Sequence, residues 1–410
     1  GDRFIADCEF TVGEVGVGAE DEMVVEEDTE MDPDSSNPDS ETNPEETDGE
    51  GSATSPEPGA DEPAPATGFT PPSPGTTVDL GAEGLRPGDD ISPFLDEHWR
   101  EGRKVIIPAG RYELSDPDSL EIRASEDSWL FGDGEVFMDH GDTSVTFNIR
   151  AEDDAHVRLE NITLKGVVHN DGGSADKIRP FATSPAGLVE LVNFNRPDGA
   201  ASEDDESTGF FVPNPHAGTT RLINCHLEGF SEGVYASSFA EGDPEDGMGT
   251  IEVYGGLYKN NHVQNIRVGG DGSRIVGAAI VFDGIPDGFG SGAYRNIRIR
   301  EAGEDQLIHD CDIYNADAPG STAVITIASA RFEGPPPSNV VITDTRIYND
   351  NDDPVLDVKT SSFDVTGSNL HLTGSGSHEL EGDGPFIDVV SGSAAAPPVT
   401  EKRWYTGGPL

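Results

Sequence analysis

Residues 221–227 read Arg-Leu-Ile-Asn-Cys-His-Leu, and the phrase returns along the chain. Residues 307–313 read Leu-Ile-His-Asp-Cys-Asp-Ile, 341–347 read Val-Ile-Thr-Asp-Thr-Arg-Ile, and 159–164 read Leu-Glu-Asn-Ile-Thr-Leu. Each sets apolar residues ahead of an Asn or Asp, then a small or apolar residue, then a strand-like one. Repetition of one strand-and-turn unit marks a solenoid. Gly, Asn and Asp at its corners supply left-handed backbone turns. Further units at 129–139, 157–168, 250–259, 273–282, 296–300, 306–314, 323–328, 339–348, 354–358, 362–372 and 385–389 recur every ~22–34 residues, as a parallel β-helix requires. Two stretches break the rhythm, 171–208 and 241–249, and read as insertions that protrude from one face.

The chain has 410 residues, 79 of them acidic and 25 basic, for a net charge of −54. Six of the bases are Lys and 19 are Arg. Such a charge repels itself in dilute buffer, whereas at molar salt the Debye length of ~3 Å screens it. The composition therefore suits a protein that works in brine. Residues 1–77 carry 22 acids and one base, leaving −33 on the remainder, so the folded part is acidic too. This excludes nucleic acid and anionic membranes as expected partners. No run of ~18 apolar residues exists to span a bilayer. The chain opens at Gly1 rather than Met, as a mature form or a fragment would, and a removed signal peptide remains open.

Residues 26–77 are almost wholly Glu, Asp, Ser, Thr, Pro and Gly, and read as a disordered acidic linker. Ahead of them, residues 1–25 echo the repeat. Arg3-Phe4-Ile5-Ala6-Asp7-Cys8-Glu9-Phe10 parallels residues 306–313, as the last coil of an upstream β-helix would. The expected division is a stranded rung over 1–25, the linker over 26–77, the β-helix over 78–393 and a tail over 394–410.

The start of the repeat carries more specific marks. Gly81-Ala82-Glu83-Gly84 leads to Asp89-Asp90, then to a short helical pattern from Ile91 to Trp99 with Asp90 or Ser92 placed to cap it. Val105, Pro108, Gly110, Tyr112 and Leu114 follow in a strand-turn-strand pattern. This run resembles the opening of right-handed parallel β-helix proteins of the pectate-lyase-like superfamily. It departs from them where Leu85-Arg86-Pro87-Gly88 replaces their usual Gly-Asp-Gly. The resemblance spans about 79–393 and implies an all-β, right-handed solenoid whose helix covers its open end. The stretch Asn260–Gly270 is similar to extracellular β-helix proteins of haloarchaea, which implies a habitat rather than a reaction.

The candidate residues are few. Cys225 and Cys311 occupy one repeat position, and Cys8 its echo, so they read as buried small hydrophobes. Asp283 and Asp287 lie in a Gly-rich loop, followed by Arg295, Arg298 and Arg300. Arg298 and Arg300 share one side of their strand and Ile297 and Ile299 the other. With Asp283, Asp287 and Arg295 as catalytic candidates, two chemistries are open. In a lyase, carboxylates hold Ca²⁺ and an Arg removes the proton beside a uronate. In a hydrolase, one acid protonates the glycosidic oxygen and another activates water. His262, Arg267, Arg298 and Arg300 are the substrate-binding candidates. Asp350, Asp352 and Asp353 form an oxygen-rich turn suited to calcium. No cofactor other than calcium is suggested. Asn161-Ile162-Thr163 is a glycosylation sequon inside a repeat.

The expected protein is an extracellular or cell-surface one from a high-salt setting, which binds polysaccharide or envelope glycan in the manner of an adhesin. A polysaccharide lyase or glycoside hydrolase and a viral tail or spike protein are the alternatives. Fold alone does not choose among them. The charge makes one prediction at once. The melting temperature should rise steeply from ~0.1 M to ~3 M salt. A flat thermal profile over that range removes the argument from charge.

Overall fold

In the computed structural model, residues 67–410 are described except 170–176, 206, 237–248, 287, 291–293, 301–302, 317, 319–321, 329–336, 360–363 and 383. They form an all-β parallel solenoid. A 19-stranded sheet and a nine-stranded sheet carry every ladder, and all of the named strand pairings are parallel. The larger sheet contains two ladders, called here the first and second faces. Long early strands such as Leu188–Arg196 serve both, and later coils split them into pairs such as Thr219–Ile223 and His226–Glu228. The nine-stranded sheet is the third face. One hydrophobic core collects side chains from all three.

The recurring phrase marks the corner between the first and second faces. Asn161, Asn193, Asn224, Asp310, Asp344, Asn369 and Asp388 all hold φ between 47° and 58° there. Only Gly, Asn and Asp adopt this region at little cost. Except after Asp388, where Val389 is exposed, the residue following the corner points inward, so Ile162, Phe194, Cys225, Ala278, Cys311 and Leu370 are fully or almost fully buried. Burial pushes both thiols up to about 12. They are inert interior groups, as the repeat position implies, while Cys8 lies outside the described residues. The small members of this column leave room for the ring of Tyr258, which is itself completely buried. Gly256 is required beneath it, because a Cβ there would meet Cys225 O at 2.4 Å.

The helix Ser92–His98 covers the N-terminal end. Ile91, Leu95 and Trp99 lie inward at 0–1% exposure, and the Trp99 indole donates to Leu120 O at 3.2 Å. Asp90 accepts the Ser92 amide at 3.1 Å. Two sequence expectations need correction. The expected insertion 171–208 contains a regular coil, with strands Lys177–Ala182 and Leu188–Arg196 in register with their neighbours. The linker expected to reach residue 77 gives way at residue 76 to the strand Thr76–Asp79, and Phe69 within the expected linker is buried. The rung at 1–25 and the linker up to residue 66 lie outside the described residues.

Two histidines are locked neutral inside this scaffold. His216 is 3% exposed; its Nδ1 accepts the Ala182 amide at 3.2 Å and its Nε2 donates to Thr250 O at 3.3 Å. A second proton would oppose the Ala182 N–H. Burial holds His216 down to about 4, and burial with Arg196 nearby does the same to His140. A histidine depressed in the fold stabilises above its unfolded value of ~6.5 and loses that contribution as pH falls toward the folded value. Urea unfolding at fixed high salt should therefore show His216 withdrawing about 3 kcal/mol between pH 6.5 and pH 4. His216→Gln keeps an acceptor and a donor and should remove that part of the slope. An unchanged slope contradicts the assignment.

Candidate functional site

The third face runs through Ile122–Ala124, Thr146–Ala151, Lys177–Ala182, Thr208–Phe211, Glu232–Ala236, Ile266–Val268, Ile297–Ile299, Ile325–Ile327 and Leu356–Val358. Its later strands are triplets. Ile266, Val268, Ile297, Ile299, Ile325 and Ile327 are buried in the core, so the middle residue of each triplet points outward. Register then fixes one outward column: Phe211, Tyr235, Arg267, Arg298, Thr326 and Asp357 are successive partners. They recur at the strand spacing of about 4.8 Å.

The column couples cations to rings. The Arg267 guanidinium lies 3.9 Å from the Tyr235 ring centre, and the Phe211 and Tyr235 rings are 5.4 Å apart. Lys177 and Arg179 approach Phe211 at 5.3 and 5.9 Å. One strand earlier, Arg150 meets its register partner Phe181 at 5.7 Å. Such pairs are worth ~0.5 kcal/mol when exposed and ~2 kcal/mol when shielded from water. Beside the column sits Glu232, half-buried, which accepts Gln264 Nε2 at 2.6 Å. Burial raises its carboxyl above the usual range, opposed by Arg267, the Gln264 bond, Arg298 and Lys177. A carboxyl so placed holds its proton longer than a surface one. Chemically, the face brings together two arginines one strand apart, aromatic surface and one reluctant acid.

Buried asparagines set where these strands begin. Asn261 donates to Asn265 at 2.9 Å, Asn265 to Asn296 at 3.1 Å, Asn296 to Asn315 at 3.1 Å and Asn315 to Asn349 at 3.0 Å. All five are 0–1% exposed. Asn265 and Asn296 immediately precede the triplets that carry Arg267 and Arg298.

The sequence candidates divide accordingly. Arg267 and Arg298 stand together in the column, at 4% and 8% exposure. Arg295 is buried two residues ahead of Ile297–Ile299, and Arg300 follows that strand, half-buried. None of these four arginines is without a partner. Asp283 belongs elsewhere. It ends the second-face strand Ala279–Phe282, accepts Asn260 Nδ2 at 2.8 Å and pairs with Lys259 at 3.2 Å. Asp287 lies outside the described residues. His262 sits at the corner leading to the third face, its ring 5.3 Å from Phe289 and 5.2 Å from Tyr294. Burial lowers its pKa, against the pull of Glu203 at 3.7 Å.

The acidic turn does not gather its carboxylates. Asp350 takes the Tyr348 hydroxyl on one oxygen and the Ser375 amide and hydroxyl, at 2.7 and 2.8 Å, on the other. Those bonds hold it below the usual carboxylate range, whereas burial and Asp352 raise Asp353. The Asn349 amide closes the turn by donating to the carbonyls of Asn351, Asp353 and Ser377. Among the described residues, no group of three or more His, Cys, Asp or Glu is placed to hold a metal ion. None of their helices is long and apolar enough to cross a membrane.

Comparison with protein-family models, with curated proteins and with solved structures gave no match.

Sequence reasoning missed Glu232, Gln264, Tyr235, Phe211 and Arg179 as site residues. A signal was present in the triplets Ile266-Arg267-Val268, Ile297-Arg298-Ile299 and Ile325-Thr326-Ile327, whose shared pattern aligns their central residues. The asparagine ladder is directly testable. Asn296→Ala deletes two buried hydrogen bonds and leaves Asn315 Oδ1 unmatched, so it should lower the unfolding free energy by about 2–4 kcal/mol. A loss below half a kcal/mol in urea titrations refutes the ladder's role.

Proposed function

We propose that this chain is an extracellular or surface β-solenoid protein of a high-salt environment that binds an acidic polysaccharide along its third face. The observation that carries this reading is the register column Phe211–Tyr235–Arg267–Arg298. A linear polyanion repeats its charge, and so does a column of guanidinium groups one strand apart. Aromatic faces suit the apolar faces of sugar rings. The excess of acid over base, 79 to 25, makes the gathering of Arg179, Arg267 and Arg298 on the strands of one face the more pointed. The resemblance of residues 79–114 to pectate-lyase-like openings points the same way. The −54 charge and the scarcity of Lys support the brine setting.

Binding is favoured over cleavage by what accompanies Glu232. Hydrolysis with inversion needs two carboxyls ~6.5–9.5 Å apart. The carboxylate that shares the described column, Asp357, lies four strand steps beyond Tyr235, about 19 Å at ~4.8 Å per step. Glu232 itself favours a second reading, a lyase or hydrolase in which this carboxyl delivers the proton to the leaving oxygen.

One panel separates the two. Acidic polysaccharides are titrated onto the protein at high salt, and chain ends are counted in the same samples. Binding without new ends is the expected result. Tyr235→Ala should weaken that binding about tenfold, the loss of ~1.4 kcal/mol of stacking and cation–π contact. Failure of every acidic glycan to bind, or equal binding by the variant, overturns the proposal. New chain ends that vanish in Glu232→Gln establish the enzyme instead.

A further inference from the structure

The first face carries a contact that the proposed function does not use. Its outward column Val192, Ile223, Tyr254 and Val276 is apolar and buried, covered by Phe69 from one end of the described chain and Tyr405 from the other. The Tyr254 ring lies 5.0 Å from Phe69 and 4.9 Å from Tyr405. The two end segments also meet, with the Gly68 amide donating to Gly407 O at 2.9 Å. Residues 402–410 are held by a specific set of bonds. Gly256 and Arg403 exchange backbone hydrogen bonds of 2.7 and 3.3 Å. The Asn224 side chain accepts the Tyr405 amide at 2.7 Å and donates to its carbonyl at 3.0 Å. Arg403 reaches Asp310 and Asp312, each at 2.9 Å.

Lys402 is the exception in this well-matched contact. Its Nζ donates to Asn193 Oδ1 at 2.7 Å and Asn195 Oδ1 at 2.9 Å, and lies 4.4 Å from the Trp404 ring centre. All three partners are neutral. The titratable groups facing it are the Cys225 thiol, protonated up to about 12, and, next in the chain, Arg403, which is committed to Asp310 and Asp312. Lys402 is half-buried, and an ammonium drawn partly out of water without an anion opposes the contact that covers it.

We propose that residues 402–410 are a latch on the first face that closes more tightly as Lys402 gives up its proton. Burial lowers the docked ammonium to about 8, whereas a free lysine titrates near 10.4. Closing therefore releases a proton between those values. The closed state is strengthened as pH rises from about 8 to about 10, and is insensitive to Lys402 below that window. Two units of separation amount to about a hundredfold in the closing equilibrium. Opening uncovers the apolar column Val192–Ile223–Tyr254–Val276.

The test uses the full chain with Cys8 replaced by Ser and a nitroxide on Thr406→Cys, an exposed position; Cys225 and Cys311 are buried. Urea is set so that half of the spectrum is mobile at pH 7.5. The mobile fraction should fall to a few per cent by pH 10. In Lys402→Met, which keeps the stem and removes the charge, closing should be stronger at pH 7.5 and unchanged at pH 10. A mobile fraction independent of pH in the parent, or one that falls equally in the Met variant, overturns the proposal.

Discussion

In-register parallel pairing is the constraint on which the rest depends. Once Thr219 pairs with Thr250 and Ile266 with Ile297, every residue lies directly above its counterpart one coil earlier. Whatever a position must do, its whole column must do. A corner becomes a column of Asn, Asp and Gly, because each coil turns there with positive φ. An inward position becomes a column of buried apolar groups, with Cys225, Gly256, Ala278 and Cys311 kept small where Tyr258 fills the interior. A corner amide becomes the chain Asn261–Asn265–Asn296–Asn315–Asn349, each member satisfying the next.

The same rule governs charge. Like charges stacked at ~4.8 Å repel, so an outward column of ionised groups must alternate or find other relief. The first face alternates. Arg158, Glu190, Arg221, Glu252 and Arg274 are successive register partners, with Arg221 at 2.6 Å from both Glu190 and Glu252. Glu190 is completely buried and also meets His156 at 2.6 Å, and these bonds and charges outweigh desolvation and keep its carboxyl below the usual range. That arrangement is self-sufficient and supports the covering segments, where Arg221 lies 4.8 Å from the Phe69 ring. The third face does not alternate. Arg267 and Arg298 are direct neighbours in register, and their relief comes from rings, from Glu232 and from other partners. Two faces built by one rule thus differ in character: one alternates its charges along the column, the other stacks two arginines and relieves them through rings and other partners.

Much of the scaffold was legible because columns leave a period in the sequence. The corner phrase, the cap helix and the strand sites from 129 onward could be read from local pattern alone. The coil at 177–196 was obscured by its acidic, Gly-rich approach, although Leu191-Val192-Asn193-Phe194 is the same phrase as Leu222-Ile223-Asn224-Cys225. What local pattern could not reveal is contact between distant segments. Asn224 and Tyr405 lie 181 residues apart, and nothing near either announces the other. Phe69 looked like the lone aromatic of an acidic linker because its partners, Tyr254 and Tyr405, are far along the chain. The site was half legible for the same reason. Arg267 and Arg298 share a repeat position, whereas the assignment of Asp283 to a common site with Arg295 assumed that nearness in sequence meant one face. The turn between them moves the chain from the second face to the third.

That turn also explains why Asp283 suits a structural role. It bonds Asn260 on both its backbone amide and its carboxylate, one coil below, and Lys259 bridges it to Glu228. Those bonds fix the departure of the loop that ends at Tyr294, whose hydroxyl donates to Gly290 O at 2.6 Å. Glu203 ties the same loop down by accepting the Gly290 amide at 3.0 Å, beside the buried edge of His262. From this corner the chain passes to the strand Ile297–Ile299, which Asn296 precedes with its bonds to Asn265 and Asn315.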